Sequence, residues 1–131
     1  MAIYVNKRIP RSQISEIHKD EDLISLRMST TKEDIYIHNV YIEPTTHLIK
    51  NIPPTLFSLK RLLKRKGGYI ILGDFNLHYP LWNSPLYDKH HYLVDELLDI
   101  VGDIGAILYI SMSLATRDYS TKKRRPNYPR R

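Results

Sequence analysis

The spacing of apolar residues changes period along the chain, and each period predicts a different kind of element. Residues 23–28 and 34–41 alternate, the first imperfectly, between apolar and polar positions, and turn-forming residues separate them at 29–33. This arrangement predicts a β-hairpin that Pro44 ends. Side chains alternate across a strand, so the second strand of the hairpin has two predicted faces. One face carries Ile35, Ile37, Asn39 and Tyr41, and the other carries Tyr36, His38 and Val40.

Helical spacing occurs twice, and a glycine follows it each time. The first predicted helix starts at Pro53-Pro54 and stops at Gly67-Gly68, with an apolar stripe at Leu56, Leu59, Leu62 and Leu63. The second starts near Asp88 and stops at Gly102, with a stripe at Val94, Leu97, Leu98 and Val101.

Short apolar runs predict the remaining strands. Residues 69–72 form a buried strand between the two helices, and residues 3–5 and 106–110 are predicted as further short strands. The polar stretch 11–22 is predicted as a connector with one helical turn. This order of strands and helices predicts a mixed α/β (α+β) domain.

Composition narrows the class of protein. The chain has 131 residues, enough for one domain, and its 42% hydrophobic content is ordinary for a soluble globular protein. No apolar run approaches the roughly 18 residues that a membrane span needs, and the apolar stretch at the start is too short for a signal peptide. A nuclear or cytoplasmic protein that is not secreted is therefore expected. Because the chain has no cysteine, disulfide and thiolate chemistry is excluded.

The net charge of +6 is concentrated at one end of the chain. Residues 1–116 carry 13 Lys/Arg and 13 Asp/Glu, whereas residues 117–131 carry seven cations and one acidic residue, Asp118. We expect a domain at 1–116 and a disordered basic tail at 117–131. The tail is interpreted either as a contact with nucleic acid or as a solvated or nuclear-localisation segment. A second basic cluster, at residues 60–66, is interpreted as favourable charge at the end of the first helix.

The candidate chemistry follows the buried strand at 69–72. Gly73 stops this strand, and Asp74 and Asn76 then stand two residues apart. If strand geometry continues past Gly73, both side chains project to one side and Phe75 turns into the core. A carboxylate can hold Mg²⁺ or orient a water molecule, and a neutral amide can donate to a phosphate oxygen. An Asx-rich turn without chemistry is the alternative.

Two motifs together resemble a known family. One is Gly73-Asp74-Phe75-Asn76, continued by Leu77-His78 and Pro80-x-Trp82; the other is Asn39-Val40-Tyr41 followed by Pro44. They resemble the endonuclease/exonuclease/phosphatase superfamily, and most closely the endonuclease domain of non-LTR (LINE-type) retrotransposons. The resemblance runs from about Ile3 to Thr116. It implies part of a four-layer α/β sandwich, with mixed, largely antiparallel sheets flanked by helices.

The resemblance also implies roles for individual residues. Asp74 would orient or deprotonate the attacking water and contribute to a Mg²⁺ (or Mn²⁺) site, Asn76 would hold the scissile phosphate, and the Tyr41 hydroxyl would stabilise its charge. Asn39 would support them, and His78 and Trp82 would shape the substrate side of the loop. DNA would be the substrate, and other parts of the domain or of a larger polyprotein would be partners.

Parts of the family pattern have no match in this sequence. The glutamate that is the main Mg²⁺ ligand would lie on a strand before Ile3, and the Ser-x-x-Asp stretch with its following histidine has no counterpart after Thr116. We therefore expect a fragment truncated at both ends, with little or no activity alone. The alternative is a non-catalytic module that binds nucleic acid or protein and uses the basic tail.

Overall fold

The computed structural model describes residues 1–43, 52–77, 79 and 92–107. Within these ranges the chain forms a short 3-10 turn at Arg11–Gln13, four strands and two α-helices. In chain order the strands and helices are β1 (Ile14–Lys19), β2 (Leu23–Ser29), β3 (Asp34–Tyr41), α1 (Pro54–Leu62), β4 (Gly68–Asp74) and α2 (Leu93–Asp103). No helix in this described part is long and apolar enough to cross a membrane.

The four strands form one mixed sheet in the order β1-β2-β3-β4. The first three pair antiparallel, whereas β3 and β4 pair parallel. Parallel neighbours need a crossover connection, and α1 lies within it. The predicted α/β class, with a mixed, largely antiparallel sheet and flanking helices, is confirmed, as is the hairpin of β2 and β3. The first helix is also confirmed, but it ends at Leu62 and not at the predicted Gly67-Gly68.

Strand β1 is the element that the sequence did not predict, because a β-bulge interrupts its alternation. Glu16 pairs with Leu26 and His18 pairs with Ser25, so Ile17 is an extra residue in the ladder. Ile17 packs against the hydrophobic core, whereas Ile14 lines a cavity on the opposite side of the sheet. The predicted connector at 11–22 is therefore wrong for residues 14–19, although a helical turn does occur before them, at Arg11–Gln13.

The hydrophobic core lies between one face of the sheet and both helices, and this face is called the helix-covered face. From the strands it takes Leu23, Val40 and the following Ile42; the helices contribute Leu56, Leu59 and Leu62 from α1, and Leu93, Val94, Leu97 and Ile100 from α2. Leu77 completes this core after β4. Lys60 of α1 also forms an ion pair with Glu96 of α2, with a 3.4 Å separation.

The opposite side of the sheet, called the outer face, is covered over only part of its width. Residues 3–9 lie against β1, β2 and β3, where Ile3, Tyr4 and Val5 line a cavity of about 270 Å³ with Leu26 and Ile37. These residues form no strand, so the predicted strand at 3–5 is wrong. On β4 the side chains of Ile70 and Leu72 are 48% and 44% exposed.

Other predicted elements are partly inside the described residues. Helix α2 begins at Leu93, and the predicted start near Asp88 lies outside those residues. Gly102 does not stop the helix, because α2 continues to Asp103. Residues 106 and 107 are not in a strand, and the rest of the predicted strand, 108–110, falls outside the described ranges, as does the predicted tail at 117–131.

Candidate functional site

Parallel pairing of β3 with β4 places Tyr41 beside Asp74 at the edge where both strands end. The two residues are direct partners in the register, and the Ile42 N–H donates to the Asp74 carbonyl oxygen at 2.9 Å. Both side chains are at the surface, Tyr41 with 36% exposure. The carboxyl ends of parallel strands are common positions for ligand sites. The two motifs, about thirty residues apart in sequence, therefore meet in space.

Gly73 allows β4 to approach β3 closely just before Asp74. Its φ is +143°, and a Cβ atom at this position would lie 1.8 Å from the carbonyl oxygen of Val40. No side chain fits that space, and L-residues rarely adopt this φ. The sequence thus needs glycine here for a geometric reason, and the close approach fixes where Asp74 leaves the sheet.

Asn76 is held in a turn rather than in a continuing strand. Its φ is +47°, its N–H donates to Asp74 Oδ1 at 3.1 Å, and its Nδ2 donates to the Ile42 carbonyl oxygen at 2.8 Å. Strand β4 ends at Asp74, so strand alternation does not continue past Gly73 to Asn76. The expectation that Asp74 and Asn76 project to one side for that reason does not apply. Phe75 nevertheless packs against the core, as expected. Asn76 ties the end of β4 to the end of β3 and retains one amide N–H and Oδ1 for other partners.

Asn39 lies on the outer face, two residues before Tyr41. Its Nδ2 donates to the carbonyl oxygen of Ala2 at 3.4 Å, and its register partner on β4 is Leu72. Tyr41 is fixed from the other side, because its N–H donates to the Asp22 carbonyl oxygen at 2.8 Å. Asn39 therefore contacts the amino-terminal segment rather than the Asp74 and Asn76 turn.

Acidic residues surround the exposed side of Tyr41. A cavity of about 350 Å³ is lined by Met1, Glu21, Asp22 and Tyr41. Partial burial raises the pKa of Asp22 above its ordinary value, and the negative charges of Asp20, Glu21 and Glu43 raise it further. The sequence reasoning did not include Glu21 and Asp22, although the acidic run at 20–22 between two strands was a visible signal.

The described residues do not form a metal site. No group of three His, Asp or Glu side chains among them is arranged to hold an ion. Asp74 accepts the Asn76 N–H through one carboxylate oxygen. A hard cation such as Mg²⁺ takes oxygen ligands, of which one or two are carboxylates and several are waters. Asp74 could supply one such ligand, and the described residues do not by themselves complete the metal site that the resemblance implied.

His38 is a buried polar residue separate from this edge. Its Nδ1 lies 2.8 Å from Ser25 Oγ, and its Nε2 has no hydrogen-bond partner in the described structure. Burial, together with the positive charges of Arg65 and His18, lowers its pKa from 6.5 to about 4. His38 is thus a neutral core residue on the helix-covered face, stacked on Tyr69 with 6.1 Å between ring centroids.

The structure brings together three of the six predicted site residues. Tyr41, Asp74 and Asn76 share the edge, and Asn39 lies next to it on the outer face. His78 and Trp82 lie outside the described residues.

Comparison with known proteins identifies similar sequences and folds. The sequence profile described as endonuclease-reverse transcriptase matches residues 35–121, about two thirds of the chain. Among solved structures, the endonuclease domain of TRAS1, a telomere-specific non-LTR retrotransposon, is similar at 23% sequence identity and a TM-score of 0.49. That match covers 72% of this chain and 43% of the TRAS1 chain. No match was found among curated proteins.

Proposed function

Because this chain belongs to the endonuclease-reverse transcriptase family, we propose that it is part of a DNA endonuclease of retrotransposon type, a hydrolase of phosphodiester bonds. The observation that carries the proposal is the register pairing of Tyr41 with Asp74, with Asn76 tied to the same strand ends. A surface-exposed hydroxyl, carboxylate and amide at one edge suit the binding of a phosphodiester and an attacking water.

Each of the three side chains has a proposed role that its contacts permit. The Asp74 carboxylate orients the attacking water and accepts its proton, and it keeps one oxygen outside the hydrogen bond to the Asn76 N–H. The Asn76 amide donates its second N–H to a phosphate oxygen. The Tyr41 hydroxyl donates to another phosphate oxygen, where negative charge builds up in the transition state.

The negative charge around the edge bears on how DNA would bind there. Glu21, Asp22 and Asp74 disfavour an approaching phosphate unless cations neutralise them. We expect a requirement for Mg²⁺ or Mn²⁺, with the main ligands supplied from outside the described residues, by the remainder of the domain or a larger polyprotein. The domain at 1–116 would then have little or no activity alone, and the tail at 117–131 would add affinity for DNA.

Nicking of supercoiled plasmid tests the proposal. We would compare this chain with Asp74→Ala in Mg²⁺, in Mn²⁺ and in EDTA, and use Asp103→Ala as the matched control because Asp103 is an exposed carboxylate at the end of α2. The expected activity is low, metal-dependent, unchanged in Asp103→Ala, and reduced about a hundredfold or more in Asp74→Ala.

Two results would contradict the catalytic proposal. They are equal nicking by the chain and by Asp74→Ala, and nicking that persists in EDTA. Salt-dependent DNA binding without any nicking, lost on deletion of residues 117–131, would instead favour the non-catalytic binding module.

A further inference from the structure

Helix α1 has an exposed face that combines an aromatic ring with positive charge. Its buried stripe is Thr55, Leu56, Leu59 and Leu62. On the other side, the Phe57 side chain is 59% exposed, and cations follow it three, four and seven residues later, at Lys60, Arg61 and Lys64. Residues three and four apart are neighbours on a helix surface, and Lys64 lies two residues beyond the end of α1. Phe57 therefore stands at one end of a basic row, which is called the α1 basic face.

Interactions within the fold account for only part of the basic cluster at residues 60–66. The last turn of α1 contains Lys60 and Arg61, where positive charge favours the helix end. Lys64, Arg65 and Lys66 lie beyond the helix, and all five cations are exposed. Lys60 pairs with Glu96, and the Arg65 guanidinium lies 6.0 Å from the Tyr36 ring centroid. Within the described residues, Arg61, Lys64 and Lys66 have no carboxylate partner.

The α1 basic face is remote from the candidate site. Five residues, 63–67, connect α1 to β4, so the charged end of the helix lies near the start of β4. Asp74 is at the end of that seven-residue strand, about 20 Å away along the sheet. The acidic edge beside Tyr41 and the cations at the end of α1 thus have opposite charge and stand at opposite ends of β4.

We propose that the α1 basic face binds single-stranded nucleic acid, with phosphates at Arg61 and Lys64 and a base stacked on Phe57. Proteins that bind single strands combine cations that follow the backbone with aromatic side chains that stack on bases. This function goes beyond the proposed hydrolysis, because it requires neither Asp74 nor a metal. It also gives the exposed Phe57 a partner of matching chemistry.

Binding of a fluorescent oligothymidine to the full chain, measured by anisotropy over a range of salt concentrations, tests the proposal. The charge variant is Arg61→Gln/Lys64→Gln, and its matched control is Lys19→Gln/Lys32→Gln, which removes two exposed cations elsewhere. Losing two phosphate contacts should reduce the slope of log K against log salt by about 1.4. The matched control should leave the slope of log K against log salt unchanged and should change the affinity by no more than about twofold.

The stacking contact has its own variants. Phe57→Ala should weaken oligothymidine binding about fivefold or more, and Phe57→Tyr should restore it, because base stacking on an aromatic ring is lost in one and kept in the other. Circular dichroism and thermal melting confirm that each variant is folded. Oligothymidine binding should persist in EDTA, where no nicking is expected, which separates this test from that of hydrolysis.

Three results would overturn the proposal. Equal losses in the charge variant and its matched control would mean that overall charge, including the tail, is responsible. If Phe57→Ala has no effect on oligothymidine binding, no base stacks on Phe57 and the proposed single-strand contact is wrong. This holds even if the charge variant weakens binding to duplex DNA. Unchanged oligothymidine binding by the charge variant would show that Arg61 and Lys64 do not contact the phosphates.

Discussion

The two faces of the sheet are built from the same four strands but are covered very differently. On the helix-covered face, Leu23 and Val40 are 0% and 1% exposed beneath α1 and α2. On the outer face, Ile70 and Leu72 remain about half exposed on β4. Most of the favourable free energy from apolar burial therefore comes from one side of the sheet.

The difference between the faces also bears on the candidate site. Tyr41 and Asp74 leave the sheet where the covered and uncovered regions meet, and Ile42 and Leu77 anchor the chain on the covered side. The chain at the candidate site is thus anchored in the hydrophobic core on the helix-covered side. The exposed apolar residues of β4, Ile70 and Leu72, lie on the other side.

The largest expected effect comes from removing a core side chain on the helix-covered face. Leu59→Ala should lower the free energy of unfolding by about 2–5 kcal/mol, because Leu59 is fully buried and the surrounding helices and strands cannot close the cavity completely. Urea denaturation followed by circular dichroism measures the change.

Leu72→Ala is the matched control on the outer face. We expect a cost below about 1 kcal/mol, because the side chain is 44% exposed in the folded chain. Equal costs for the two substitutions would mean that the outer face is covered in solution, for instance by self-association.

A second comparison uses the pH dependence of stability. His38, which is buried on the helix-covered face, should make the folded chain less stable in acid. Its pKa is about 4 in the folded chain against about 6.5 when unfolded, so the unfolded state binds more protons between these values. Stability should therefore fall as the pH drops from about 6.5 to 4, by up to about 3 kcal/mol.

His38→Gln isolates this contribution, because the carboxylates titrate in both proteins. The free energy of unfolding should be measured at several pH values between 4 and 7, and the difference between the two proteins should shrink toward low pH. A difference that stays constant with pH would show that His38 does not titrate as its burial predicts.

A third comparison concerns the junction of the faces at Asn76. Asn76→Ala should cost about 1–2 kcal/mol, because it removes the hydrogen bond to the Ile42 carbonyl oxygen and places alanine at a φ of +47°. Asn76→Gly retains the backbone freedom and should recover part of this cost, which thermal denaturation can measure. If alanine and glycine were equally destabilising, the loss of the side-chain contact alone would explain the cost. If neither substitution were destabilising, Asn76 would not anchor the end of β4.

Local patterns predicted the elements whose period is regular. The alternation in β3 correctly separated Tyr36, His38 and Val40 from Asn39 and Tyr41, since side-chain direction in a strand depends only on position. The leucine spacing of α1 correctly identified the buried stripe, since position also sets side-chain direction in a helix. The motif at residues 73–76 likewise indicated the end of β4, although the roles of its residues stay predictions.

Three features depended on tertiary structure. The bulge at Ile17 exists only through pairing with β2, so no local period could show it. Asn76 turns back because the Ile42 carbonyl oxygen, 34 residues earlier, is available to it. Asp22 reaches Tyr41 only because β2 pairs with β3. The sequence by itself determined the hairpin of β2 and β3, strand β4, the two helices and the choice of candidate residues. Tertiary structure decided β1 and which residues meet, because hydrogen bonds between distant segments are set by the whole sheet.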